Sequence, residues 1–170
     1  AASPRKRAKT KTVVVRAKTE SKYYDQSHTT SIGYLSNSLV NTLFQGDGKS
    51  QHIGSKLRIS NIEIRWDFTG ASYRDFSGVI RLIVPKDPNG SVGNKGTVTV
   101  YDPTQFTVLH EIYLNPGHNM TGMYRWKGPL NVQFSGDTTN VVKNHVYLTA
   151  YTKSEASSAP IHTRVWYTDN

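Results

Sequence analysis

KLRISNIEIRWDF, residues Lys56 to Phe68, carries the clearest structural signal in the chain. Ile62, Ile64, Trp66 and Phe68 alternate with Glu63, Arg65 and Asp67, the two-residue period of a half-buried β-strand. Leu57 and Ile59 fall on the opposite parity. A bulge or bend near Ser60-Asn61 is therefore needed to bring all six apolar side chains to one face.

Downstream, Gly78 to Val84 is mostly apolar and stops at Pro85, a composition that predicts a strand buried on both sides, with a subunit contact as one way to cover it. Lys86 to Lys95 (KDPNGSVGNK) is dense in Pro, Gly, Asn and Asp and predicts an exposed loop. Further strands are expected at Thr97–Tyr101, Phe106–Leu114, Met123–Trp126, Leu130–Phe134, Val141–Thr152 and Ile161–Tyr167. Turn residues separate them, as at Asn115-Pro116-Gly117 and Ser135-Gly136-Asp137. Upstream, Tyr23 to Gln45 mixes Tyr, Leu, Ser, Thr and Asn and predicts an irregular lead-in plus one strand. No segment of ten residues shows helical periodicity. Short strands spaced by turns predict an all-β chain, a single antiparallel sandwich of about eight strands over 23–170.

The 170 residues suit one domain with a sizeable core. There is no cysteine, which excludes disulfides, thiolate metal sites and cysteine nucleophiles. No apolar run is long enough for a spanning helix, so no membrane insertion is expected. No apolar h-region follows the basic N-terminus, so no signal peptide is expected.

Charge is concentrated at one end. Residues 1–22 hold Arg5, Lys6, Arg7, Lys9, Lys11, Arg16, Lys18 and Lys22 against the single acid Glu20, a net of +7 out of the chain's +9. Such a block repels itself and stays extended until a polyanion neutralises it. It predicts a disordered nucleic-acid-binding arm, 1–22, on a nearly neutral body, 23–170. A solvated tail without a partner is the plainer alternative.

Gln45-Gly46-Asp47-Gly48-Lys49-Ser50-Gln51-His52-Ile53-Gly54-Ser55-Lys56-Leu57-Arg58-Ile59, followed by Ile62-Glu63-Ile64-Arg65-Trp66, resembles the capsid proteins of small circular Rep-encoding single-stranded DNA viruses, the circovirus-like group. There a pattern like QGxGxxQRIGxKxxIxxIxIR leads into the first strand of a jelly roll. His52 stands where that family often has Arg. The basic arm, the segment RLIVPKDPNG and the strand-like ending Val165-Trp166-Tyr167-Thr168-Asp169 match the same layout. The resemblance implies a jelly roll, sixty copies in a closed icosahedral shell, arms pointing inward, and a virion protein that passes through the host nucleus. Satellite RNA virus coats share the arm-plus-jelly-roll plan, so the single-stranded DNA partner rests on the motif and RNA stays open. A host-cell attachment factor is expected but not identified.

Sixty such arms would line a cavity with roughly +420 charges, enough to offset several hundred phosphates. Arg5, Lys6, Arg7 and Lys9 also fit a nuclear localisation signal. Tyr23 and Tyr24 could stack on unpaired bases; anchoring the arm to the core is the favoured alternative. Arg58, Arg65 and Arg81 could project from strands toward nucleic acid, with a polar sheet face or an inter-subunit salt bridge as the equal alternative. Arg125-Trp126-Lys127 is a further basic–aromatic cluster.

The six histidines show no metal-ligand spacing, and neither a nucleophile elbow nor a phosphate loop is present, so no metal, no cofactor and no enzymatic activity are expected. A cellular β-sandwich carbohydrate-binding module with a basic tail is the rival from another class.

Overall fold

The computed structural model describes residues 21–30, 34–45, 51–69, 77–87, 103–115, 117–136, 139–152 and 159–169. Within them the chain forms β1 (Lys22–Thr30), β2 (Tyr34–Ser38), β3 (Phe44–Gln45), β4 (Gln51–His52), β5 (Lys56–Asp67), β6 (Gly78–Pro85), β7 (Phe106–Leu114), β8 (Thr121–Phe134), β9 (Val141–Lys143), β10 (Tyr147–Thr152) and β11 (Ala159–Asp169).

One sheet, called A, runs β1-β11-β5-β8-β9; the other, B, runs β2-β10-β6-β7. Leaving aside the short β3, β4 and β9, eight strands pair antiparallel from the outside inward: β1 with β11, β2 with β10, β5 with β8, β6 with β7. Within each nested pair-of-pairs the chain alternates between the sheets. That is the wrapped double ribbon of a jelly roll, and it follows from this chain's own strand order.

The two inner faces hold one core, including Leu57, Ile59, Ile62, Ile64, Phe68, Ile80, Leu82, Phe134, Leu148, Ile161 and Val165, all under 2% exposed. The expected bulge is present. Register shifts between Ile59 and Asn61 against β8, which brings Leu57 and Ile59 inward beside Ile62 and Ile64. Gly128-Pro129 lies opposite. A Cβ on Gly128 would stand 2.5 Å from the Ile59 carbonyl oxygen, so only glycine permits this approach.

Several expectations are corrected. The strand after the glycine-rich motif, β5, is the third of the eight and lies inside sheet A, not at the start of the roll. Residues 22–45 hold two roll strands, β1 and β2, where an irregular lead-in plus one strand was expected. Met123–Trp126 and Leu130–Phe134 join into the single β8, while Asn144, at φ +55°, separates β9 from β10. β6 is buried along its whole length within one protomer, so no subunit contact is needed to cover it. The expected strand at 97–101 and most of the loop at 86–95 lie outside the described residues.

Candidate nucleic-acid interface

β1 enters the sandwich with unusual inward residues. Lys22 is 7% exposed, and its ammonium donates to Asp169 Oδ2 at 2.7 Å and to the Gln51 carbonyl at 3.3 Å. Expected in the arm, Lys22 is instead a body residue: it ties the first strand to the last, because an ammonium at that depth needs a carboxylate beside it. Tyr24 also points inward and meets the Tyr167 ring edge-on at 6.1 Å, and burial pushes its hydroxyl well above the usual phenol range. Tyr24 is thus the anchor, while Tyr23 faces outward at 41% exposure.

Antiparallel register sets what accompanies Tyr23 on the outer face of sheet A. Tyr23 opposes Trp166, which opposes Asn61, which opposes Lys127. One step along, Asp25, Arg164, Glu63 and Arg125 form a second row of alternating sign. Opposite charges on facing strands stabilise the sheet, where like charges would oppose it.

Asp25 receives Arg164 in a fork, Nε to Oδ1 at 2.6 Å and Nη2 to Oδ2 at 2.8 Å. Glu63 accepts from Arg65 Nε at 2.7 Å and from Arg125 Nε at 3.2 Å. The two arginines roof over Glu63, leaving it 2% exposed while their own side chains stay 62% and 49% exposed. The hydrogen bond from Arg125, followed by that from Arg65, holds the Glu63 carboxyl below the usual range; Arg164 does the same for Asp25. On the far side of this second row, toward the next row of Ser27, His162 and Arg65, a shallow cavity of about 280 Å³ is bordered by those three residues together with Asp25, Glu63 and Arg164.

The remaining candidates divide. Arg58 is exposed on the same face, toward the Lys22 end of the sheet. Arg125 and Lys127 are exposed there too, but Trp126 turns to the other side and packs against the core, so the expected basic–aromatic cluster does not form. Arg81 lies in sheet B at 2% exposure, paired with Glu111 at 2.9 Å, which is the salt-bridge alternative within one protomer. Arg5, Lys6, Arg7, Lys9, Lys11, Arg16 and Lys18 lie outside the described residues. Sequence reading missed Asp25, Arg164 and Trp166. The alternation of His162, Arg164 and Trp166 in the last strand was the available signal.

Among the described residues no group of three or more His, Asp or Glu side chains converges on a metal-sized site, and no helix is long and apolar enough to cross a membrane. No family model matches the chain, and no curated protein matches it. Among solved structures it is similar to one titled Desmodium yellow mottle tymovirus, at TM-score 0.41 and 11% identity over 99% of this chain and 92% of that one. It is also similar to a structure of infectious bursal disease virus, Gx strain, at TM-score 0.32 and 11% identity over 98% of this chain and 36% of that one. Scores this low carry no weight for function. What the chain's own residues define is an all-β jelly roll with a cation-rich outer face on one sheet.

Proposed function

We propose that the chain is a structural, non-enzymatic capsid protein whose jelly-roll body tiles into a closed icosahedral shell of sixty copies and whose basic arm packages circular single-stranded DNA. The observation that carries this reading is one-sided charge. The outer face of sheet A bears Lys56, Arg58, Arg65, Arg125, Lys127 and Arg164 against Asp25, Glu63 and Asp67. On the outer face of sheet B, Arg81 is matched by Glu111, and Tyr113, Tyr147 and Tyr151 fill much of the remainder.

The arm runs in sequence into β1, the edge strand of sheet A, whose outer face carries these cations. In a shell, that face is the one to turn toward packaged polyanion. With Lys22 committed to Asp169, residues 1–21 carry a net of +6. Sixty arms would then supply roughly +360 charges by counterion release. Assembly and packaging become coupled, because polyanion removes the repulsion between cationic subunits. The choice of DNA, the copy number and the nuclear role of Arg5, Lys6, Arg7 and Lys9 rest on the resemblance in the glycine-rich motif.

Electron microscopy of the purified chain, with its 260/280 nm absorbance ratio, tests the reading. Uniform closed shells rich in nucleic acid are expected, and nuclease digestion of their contents separates DNA from RNA. Discrete small oligomers free of nucleic acid would refute it and favour a cellular binding module.

A further inference from the structure

Tyr23 and Trp166 are cross-strand partners on the outer face of sheet A. Arg164 places its guanidinium carbon 4.8 Å from the Tyr23 ring centre and 5.8 Å from that of Trp166. Arg125 reaches over Trp166 at 4.8 Å. Two rings and two guanidiniums therefore interleave in the order Tyr23, Arg164, Trp166, Arg125. Asp25 and Glu63 hold both guanidiniums from the side, fixing planes that would otherwise swing freely. Tyr23 is an exposed large apolar side chain on a face rich in charge, which also carries the exposed Met123 opposite Arg65.

Flat, fixed, partly exposed π surfaces surrounded by cations have the chemistry of a base-stacking site, and arginine planes stack on bases as aromatic rings do. Asn61 and Lys127 continue the row of Tyr23 and Trp166 across the sheet, supplying an amide and a cation for the sugar-phosphate chain beside a stacked base. Bases in a duplex keep their faces covered by their neighbours, so only an unpaired strand can use such a surface.

We infer that Tyr23, Arg164, Trp166 and Arg125 form a stacking platform for unpaired nucleobases, giving the body a preference for single strands that the arm's phosphate contacts cannot supply. The inference rests on the nucleic-acid-packaging reading and specifies the strandedness of the partner at the sheet face. It makes Tyr23 a contact residue for bases rather than a spacer between arm and body.

The test mixes freshly purified full chain with fluorescent oligothymidylate, the matching oligouridylate, or a duplex of equal length, and reads anisotropy at low salt and at about 0.5 M salt, where arm contacts to phosphate are strongly weakened. At high salt the unaltered chain should keep a preference for the single strands over duplex. Tyr23→Ala removes a part-exposed ring together with its packing on Arg164 and should weaken single-strand binding by about 5- to 100-fold, leaving duplex binding unchanged and lowering the melting temperature only slightly. Trp166→Ala should act in the same direction, and Tyr23→Phe should restore binding. Equal losses on duplex and single strand, or no loss with Tyr23→Ala, would overturn the platform while leaving packaging by the arm intact. Absence of binding to all three probes by the unaltered chain at low salt would overturn both readings together.

Discussion

Lowering the pH from about 7.5 to about 5 should remove roughly 4 kcal/mol of folding stability, most of it through two histidines. His28 and His145 are 4% and 6% exposed, and burial holds each near 4, against an ordinary 6.5. At His28 the neighbouring His162 adds to the effect. The hydrogen bonds around His145 give the same answer independently. Ser38 Oγ accepts from the Val40 and Asn41 amides at 3.2 and 3.0 Å, so its own proton must go to His145 Nε2, 2.7 Å away. Nδ1 then carries the ring's proton toward the Tyr147 hydroxyl at 3.2 Å. A second proton on Nε2 would face the Ser38 hydroxyl hydrogen and break the turn that closes β2. His28 is held similarly: Asn37 Nδ2 donates to Nδ1, and Nε2 meets Thr163 Oγ1, both at 2.9 Å.

The sign follows from proton counting. Between pH 6.5 and 4 the unfolded chain binds protons that the native chain refuses, so stability is full above 6.5 and falls as pH drops through that window. At about pH 5 each histidine has cost about 2 kcal/mol, since a tenfold difference in proton affinity is worth about 1.4 kcal/mol. Asp25, Glu63 and Asp67, whose values are lowered, lose their contribution only as pH falls through the carboxylate range below 4.5, so they add little at pH 5. Circular dichroism melts should show a fall of roughly 10 °C in the wild type. In His28→Gln/His145→Gln the starting stability should be lower and the pH dependence nearly flat over this window. Retention of the full wild-type slope by the double variant would refute the assignment.

Deleting residues 1–20 should leave the melting temperature of the body unchanged and sharply reduce co-purifying nucleic acid, read as the 260/280 nm ratio. Extending the deletion through Lys22, or making Lys22→Met, should cost about 2 kcal/mol more in urea unfolding, because Asp169 is left without its cation. Gly128→Ala should cost about 1–3 kcal/mol through the clash with the Ile59 carbonyl, visible as a lower urea midpoint at unchanged slope. Ile64→Asp should abolish folding altogether, since its side chain is 1% exposed among apolar neighbours and a carboxylate there has no partner; soluble, cooperatively melting protein would contradict that placement.

β5 was legible because its inward residues are apolar and its outward ones charged, and even the parity slip at Ser60-Asn61 announced a bulge. The β1–β2 region was not, because its inward positions are Lys22, Tyr24, Gln26 and His28, and polar side chains blur an alternation read by hydropathy. Those groups are tolerated inside because partners far along the chain meet them: Asp169 for Lys22, Thr163 for His28, Thr42 for Gln26. Of the site, Tyr23, Arg58 and Arg65 could be placed on an outer face by strand parity alone. The pairing of Asp25 with Arg164, or of Glu63 with Arg125, depends on the register between strands separated by 139 and 62 residues, which no local pattern encodes.

Carboxylates on a face that meets polyanion look self-defeating until the row is considered as a whole. Arg65, Arg125 and Arg164 crowd three adjacent strands, and without counter-charges their mutual repulsion would work against the sheet that carries them. Asp25 and Glu63 convert that repulsion into an alternating row, hold the guanidiniums in fixed planes, and still leave the trio with a net charge of +1. Lys56, Arg58 and Lys127 have no carboxylate opposite them in register; their partners there are Gln133, Asn131 and Asn61. Long-range attraction would then fall to the arm, which is dense in charge and easily screened, and short-range discrimination to a rigid face whose remaining interactions are stacking and direct contact. The two parts should respond to salt differently. Nucleic-acid content should fall steeply with ionic strength in the wild type, whereas the residual affinity of the arm-deleted body for single strands should decline only gently; parallel decline would assign both to the same phosphate contacts.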